Sequence, residues 1–318
     1  MPGKLQPDIL AKNVLNFSGA FRQDLLVGGG IGEDAALIRM PSGILVAASD
    51  PITGAEKNAG SLLVHINAND LACKGADPAW LIVTLIVPDE MGVSYINSIM
   101  NEIHEACKKL NIAIAGGHTE LTSKYTQPVI SGTMLGMTNY ELSARKISEG
   151  DYILATGHAG LEGMSILAND KPELFANIFT PEEINTIKSW GQDISVIPAA
   201  KILRSYSKYM HDPTEGGLNG ALYEIQMACG LRLEIDDKNI PVSELTQRAA
   251  AKLAFDYMNL ISSGMLIAVV SPDKIKIAQE ELASHNITSR AIGKLIKGPA
   301  KVLNTHEELW RLLCYISI

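Results

Sequence analysis

The sequence predicts a mixed α/β fold (α+β mixed sheets) in two domains, residues 1–148 and 149–318. Three observations predict it. Hydrophobic residues make up 47% of the 318 positions and charged residues 19%, which is material for packed cores rather than a disordered chain. Short apolar runs alternate with helical patterns in both halves, but not as strict β-α-β units, which favours mixed sheets over a doubly wound parallel sheet. A polar stretch at 142–151, LSARKISEGD, ends in Gly-Asp ahead of an apolar run and marks the join between the halves.

In chain order, residues 44–48 and 81–87 read as buried strands, being short, branched and closed by turn residues. Between them, 58–75 reads as a helix that ends on the glycine after Lys74. A second helix covers 91–110, where Ile96, Ile99, Ile103 and Leu110 recur on one face. Strands are expected at 112–115 and 127–137. Beyond the join, strands are expected at 152–155, 231–235, 265–270 and 290–293, and helices at 161–168, 181–190, 197–206, 217–229 and 272–283.

Bulk properties exclude several classes. The net charge of −8, with no basic stripe, argues against a nucleic-acid-binding body. No apolar run approaches the ~20 residues that cross a bilayer. The opening MPGKLQPDILAKNVL has no charged segment followed by an apolar core, so no secretion signal is expected. Cys73, Cys107, Cys229 and Cys314 are far apart, so neither a zinc site nor a disulfide framework is expected, and the cytoplasm is the expected compartment.

Five motifs carry candidate chemistry. In GGGIGEDAAL (28–37), glycines including Gly30 and Gly32 allow close backbone approach to a ligand, and Asp34 stands where it could face a cation; a flexible turn is the plain alternative. In ASDPITG (48–54), Asp50 follows an apolar strand that Pro51 is expected to stop; an Asx-turn is the alternative. In NANDLACKGADP (67–78), Asn67 and Asp70 share a helix face with Lys74 one turn on, either facing a metal or phosphate or forming an Asp70–Lys74 surface pair. His65 on that helix reads as structural. In AGGHTE (115–120), Gly116 and Gly117 are expected to make a tight turn that presents His118, Thr119 and Glu120. In MHDPTEGGL (210–218), Gly216 and Gly217 open a helix whose free N–H groups suit an anion, while Asp212 could cap the helix, bind magnesium, or do one of these with Thr214 doing the other. Acids beside glycine or proline at turns and helix positions suit Mg²⁺, which takes oxygen ligands and keeps substrate phosphates in its shell.

GIGEDAALI, SDPITGAEKNAG, NANDLACKGADPAWLIVTLIVP, AGGHTELT and HDPTEGGLNGALYEI occur in the order seen in the AIR synthase (PurM)-like superfamily, and the chain resembles that superfamily over roughly residues 20–300. Within it, the 211–222 stretch looks most like HypE, and 75–88 looks like thiamine-monophosphate kinase. The resemblance implies a PurM-like two-domain fold, with an N-terminal dimerising domain and a C-terminal α/β domain that closes over ATP. It implies Mg²⁺ ligands at Asp34, Asp50, Asp70 and Asp212, with Asp70, Asp212 and His118 as catalytic candidates. Gly30, Gly32, Lys57, Asn67, Gly116, Gly117, Thr214, Gly216 and Gly217 are the implied nucleotide contacts. It implies an ATP-dependent enzyme that phosphorylates a small amide- or carboxyl-type acceptor, alternatively a small-molecule kinase or a catalytically silent ATP-binding protein. A homodimer and a maturation partner protein are the implied assemblies, with neither nucleic acid nor membrane.

Two departures stand out. His118 replaces the acidic residue of HypE, so either Glu120 takes a metal role or one cation site is weakened. HypE ends in Pro-Arg-Ile-Cys, whereas this chain ends CYISI, and Cys314, among apolar neighbours, is expected to be packed and inert.

Overall fold

A computed structural model describes residues 7, 11, 23–28, 30–53, 57–192 and 194–314. Most of the opening residues, Gly29, Gly54 and the last four residues, which entered the expectations above, lie outside the described residues.

The first sheet has six strands: β1 (Leu25–Val27), β2 (Ala36–Arg39), β3 (Ile44–Ile52), β4 (Asp77–Pro88), β5 (Ala113–Thr122) and β6 (Val129–Thr138), in the order β1-β2-β3-β6-β4-β5. Its neighbours are antiparallel except β4 and β5, which run parallel across the connection made by α2 (Gly92–Leu110). The second sheet, β8-β10-β7-β11-β9, is antiparallel throughout: β7 (Tyr152–Thr156), β8 (Ser207–His211), β9 (Arg232–Ile235), β10 (Leu266–Val270) and β11 (Ser289–Ile296). The first sheet is therefore mixed, as expected, and the second is antiparallel. Among the described residues, no helix is long and apolar enough to cross a membrane.

One helix organises the centre. α1 (Ala59–Cys73) lies on β3, β4 and β6, packs against α2 on one side, and meets β8 and α5 (Ile197–Leu203) of the second half on the other. It is buried nearly all round, with only Ser61 and Ile66 partly open. One continuous core therefore joins Leu63, Leu71 and Leu81 to Leu154, Val196 and Met210. A polar side chain inside such a helix has to find a fixed partner. Asn69 accepts the Val196 N–H at 2.9 Å and donates to the Ile194 carbonyl at 2.8 Å, which ties the halves together.

The remaining helices belong to the second half: α3 (Leu161–Asp170), α4 (Pro181–Ser189), α6 (Gly217–Cys229), α7 (Glu244–Leu253), α8 (Ile275–Ser284) and α9 (Glu308–Leu313). Leu309 and Leu312 of α9 pack with Met164, Ile166 and Leu260, which brings the end of the chain back over α3.

Three local expectations are corrected. Pro51 does not stop β3, which runs on to Ile52 with Pro51 opposite Ser131. β2 pairs only as far as Ala47, so β3 has an open edge there, and a proline is tolerated on such an edge. AGGHTE makes no tight turn; it is extended within β5, with Gly117 opposite Val83 and His118 opposite Thr84. A Cβ on Gly117 would run into the Val83 carbonyl, so that glycine serves strand contact. The 197–206 helix ends at Leu203, and β8 begins four residues later.

Candidate functional site

Between the two halves lies a cavity of about 760 Å³, and Asp34, Asp50, Asp70 and Asp212 all line it. Each comes from a different element. Asp34 follows the glycine loop just ahead of β2, Asp50 stands in the open-edged part of β3, Asp70 is carried by α1, and Asp212 directly follows β8. Asn67 fixes Asp50 by its backbone, accepting the Asp50 N–H at 3.0 Å and donating to the Asp50 carbonyl at 3.3 Å.

The carboxylates are close enough to feel one another. Burial first, then the charges of Asp50, Asp212 and Asp34, push the Asp70 carboxyl well above its usual range. Among the described residues, Asp34 Oδ2 and Asp70 Oδ2 are buried without a hydrogen-bond partner. Single ligand atoms of Asp34, Cys73 and Asp212 all lie within 4.8 Å of one another. Burial and the surrounding carboxylates push the Cys73 thiol up, so it stays protonated and donates to Asp212 Oδ1 at 3.5 Å.

His211 is the counterweight. Its Nδ1 lies 2.6 Å from Asp34 Oδ1 and its Nε2 2.9 Å from Glu224 Oε2. Burial by itself would lower its pKa; the charge and hydrogen bond of Asp34, with Glu224 behind, outweigh burial and raise it to about 10. The imidazolium therefore holds the Asp34 carboxyl in place.

The glycine loop is anchored by a buried ion pair. Lys74, wholly buried, lies 2.5 Å from Glu33 Oε2 and 5.0 Å from the Tyr209 ring centre, while the Tyr209 hydroxyl donates to the Gly32 carbonyl. Glu33 Oε1 also accepts from Ser143 Oγ at 3.1 Å and the Ala144 N–H at 3.3 Å. The Asp70–Lys74 surface pair, the plain alternative at this motif, is not formed: Lys74 makes a buried pair with Glu33, because α1 turns it inward under the loop.

Of the other sequence candidates, Gly30, Gly32 and Thr214 line the cavity. Gly216 caps α6 and gives its N–H to Glu307 at 2.6 Å, so neither Asp212 nor any other side chain acts as the cap. Gly217 has φ +61°, and a Cβ there would lie 2.6 Å from the Met258 carbonyl, which gives that glycine a packing reason. Lys57 borders a small recess that shares Leu62, Glu162 and Ile166 with the cavity, and its Nζ donates to the Asn169 carbonyl at 2.8 Å. Gly116, Gly117, His118 and Glu120 lie on β5, outside the cavity lining; His118 and Glu120 are exposed and 3.2 Å apart. His65 is buried in α1 and held neutral by burial, as a structural histidine would be. Cys314, expected to be packed, is exposed at the end of α9 because Leu309 and Leu312 take the inward face.

Sequence reasoning missed His211, Cys73, Glu33, Glu162, Glu224 and Glu307 as site residues. His211, Cys73 and Glu33 stand inside the quoted motifs, and their proximity to an acid was a usable signal. Glu162 and Glu224 look like ordinary helix acids and Glu307 like a helix cap, and only tertiary contact turns them toward the cavity.

Two mixed or antiparallel sheets, meeting over an acid-lined cavity, define the class as a PurM-like two-domain α/β protein. The profile of the AIR synthase related protein N-terminal domain matches residues 32–138, and that of the C-terminal domain matches 148–305. The chain belongs to the AIR synthase-related family. It is 28% identical over 282 residues to a putative hydrogenase expression/formation protein of Methanocaldococcus jannaschii, covering 83% of this chain and 80% of that one. It is 25% identical over 254 residues to the carbamoyl dehydratase HypE of Escherichia coli, covering 78% and 73%. It is 28% identical over 254 residues to a thiamine-monophosphate kinase of Rhodopirellula baltica, covering 74% and 72%. A HypE–HypF complex matches its fold with a TM-score of 0.74 at 23% identity, covering 91% of this chain and 93% of that one. A HypE in complex with ATP matches with a TM-score of 0.69 at 20% identity, covering 94% and 89%.

Proposed function

We propose that this chain binds MgATP in the acid-lined cavity and uses it to activate a small amide- or carboxyl-type acceptor by phosphorylation. The observation that carries the reading is the convergence of Asp34, Asp50, Asp70 and Asp212 on one cavity, with buried carboxylate oxygens left without hydrogen-bond partners at Asp34 and Asp70. Hard oxygen donors of this kind fit Mg²⁺, and these four side chains would hold it. Bound there, the metal supplies charge neutralisation to the triphosphate. His211 positions Asp34, Asn67 holds the Asp50 backbone, and the Glu33–Lys74 pair fixes the loop that brings Gly30 and Gly32 to the ligand.

The names borne by the relatives, carbamoyl dehydratase HypE and thiamine-monophosphate kinase, and the ATP complex of a HypE with this fold support the reading. The HypE–HypF complex supports a maturation partner, and the cytoplasm is the compartment that suits such work.

A homodimer belongs to the same reading. β4, β5 and β6 show an open face opposite the helices, where Trp80, Ile82 and Val129 are exposed. His118 and Glu120, paired in register with Thr84 and Ile86, share that face, so a second copy would cover them.

Calorimetry on the full chain tests the core of the proposal. MgATP is expected to bind, and Asp70→Asn to weaken it by about tenfold or more. Absence of MgATP binding, or an Asp70→Asn protein that binds unchanged, sinks it. Free phosphate as the product marks a dehydrating activation, and a stably phosphorylated acceptor marks a kinase.

A further inference from the structure

Cys73 is the last residue of α1, one turn beyond Asp70, and its buried thiol is set between two acids from other elements. Spacing along the chain offers no cysteine pair for a metal; the fold supplies aspartates instead, Asp34 from the loop before β2 and Asp212 from the end of β8. Tetrahedral ligands around a zinc-sized ion stand about 3.3–3.5 Å apart, given metal–oxygen and metal–sulfur bonds of about 2.0 and 2.3 Å. Cys73 Sγ and Asp212 Oδ1 are already 3.5 Å apart. Ligand atoms of all three residues lie within 4.8 Å of one another, so only a small closure brings in Asp34.

Two further observations point to a ligand here rather than to packing. Asp34, its side chain 8% exposed, sets Oδ1 against His211, while its Oδ2 is buried without a hydrogen-bond partner among the described residues. Asp70, 5% exposed, has an unpartnered buried Oδ2 as well, and its carboxyl feels the charges of Asp34 and Asp212. Buried carboxylate oxygens without donors are costly, and a cation answers them. Mg²⁺ takes oxygen and leaves a sulfur unused, whereas zinc-class ions such as Zn²⁺, Co²⁺ and Cd²⁺ take thiolate together with carboxylate. We propose that Cys73 is a metal ligand, and that Asp34, Cys73 and Asp212 form a mixed sulfur–oxygen site that favours zinc-class divalent ions over Mg²⁺. On binding, the Cys73 S–H bond gives way to a sulfur–metal bond and the proton leaves to solvent; Asp212 Oδ1, which accepted that S–H, ligates the ion instead. Three protein ligands leave a fourth position for water or a phosphate oxygen. Asp34 and Asp212 are shared with the proposed MgATP site, so a zinc-class ion seated on sulfur displaces Mg²⁺ there. That consequence rests on the MgATP reading, whereas the thiolate site does not.

Co²⁺ and Cd²⁺, added without nucleotide, are the probes, in the full-length protein carrying Cys229→Ser and Cys314→Ser to remove the less buried thiols. Co²⁺ is expected to bind with a near-ultraviolet sulfur-to-cobalt charge-transfer absorption. Cys73→Ser is expected to abolish that absorption and to weaken Co²⁺ about tenfold or more relative to Mn²⁺, an oxygen-preferring ion. Absence of Co²⁺ binding, binding without the absorption, or an absorption that persists in Cys73→Ser overturns the proposal. Should Cys73→Ser fail to fold, cadmium NMR on the protein that keeps Cys73 decides. A resonance in the thiolate-ligated range is expected, and Asp34→Asn, which spares every thiol, is expected to weaken Cd²⁺ severalfold. A resonance in the all-oxygen range, or Cd²⁺ binding unchanged by Asp34→Asn, overturns the site. MgATP is titrated separately: its failure to bind removes the phosphoryl-transfer reading and leaves the thiolate site standing, whereas Co²⁺ bound without sulfur removes the thiolate site only.

Discussion

Glu162, buried, and Glu307, half-buried, are carboxyls whose surroundings favour the neutral form. Burial raises each to about 7, against an ordinary 4.5, although Ser263 pulls Glu162 down and three backbone N–H groups pull Glu307 down. The unfolded chain therefore ionises first as pH rises. Stability present below about 4.5 is lost as pH climbs to about 7, and the loss is complete above that value. For Glu162 alone the loss is on the order of 3 kcal/mol. Urea unfolding between about pH 4.5 and 8 is expected to show falling stability, and Glu162→Gln to remove part of the fall, Glu307, Asp70 and His211 contributing the rest. An unchanged slope in Glu162→Gln would mean that Glu162 is solvated. At this scale the sequence was informative where an acid sits beside glycine or proline: Asp34, Asp50 and Asp212 were all legible. Glu162 and Glu307 were not, because nothing local separates a helix acid that faces solvent from one that faces a cavity.

At the scale of elements, the loop before β2 and the end of α1 are locked by Lys74 and Glu33. Removing one partner leaves the other buried and unanswered, which typically costs about 3–5 kcal/mol. Lys74→Met is accordingly expected to lower the urea midpoint strongly, and adding Glu33→Gln to restore part of the loss, as a double-mutant cycle measures. Additive losses would show that the two do not act as a pair. Helix α1 was readable from its length and its closing glycine, but its polar residues spoke of a ligand when several serve the fold: Asn67 holds β3 and Asn69 holds the 194–196 segment. The strand β8 and helices α7 and α9 escaped notice. β8 reads SKYMH, too short and mixed for a period, and its five residues are made a strand by pairing with β10. α7 and α9 are short helices whose apolar stripes gain meaning only against α3 and its neighbours.

For the whole molecule, the two-sheet plan was predictable because each half repeats apolar runs with turn signals, while the docking of the halves was not, since α1 is buried nearly all round and its sequence names no neighbour. The uncovered face of the first sheet gives the outward prediction. Trp80→Arg places a charge among Ile82 and Val129 and is expected to convert a dimer into monomers in sedimentation at micromolar concentration; a sedimentation profile identical to that of the unmodified protein, whether dimeric or monomeric, refutes this role for the face. The acid set also divides unequally, with Asp34, Asp50 and Asp70 on one side of the 139–151 connector and Asp212 on the other. The proposed MgATP site would thus be written across a seam, like a coincidence detector that responds only when both inputs arrive. In the proposed site, a lesion that unseats either half leaves the other half's carboxylates without their counterparts across the cavity.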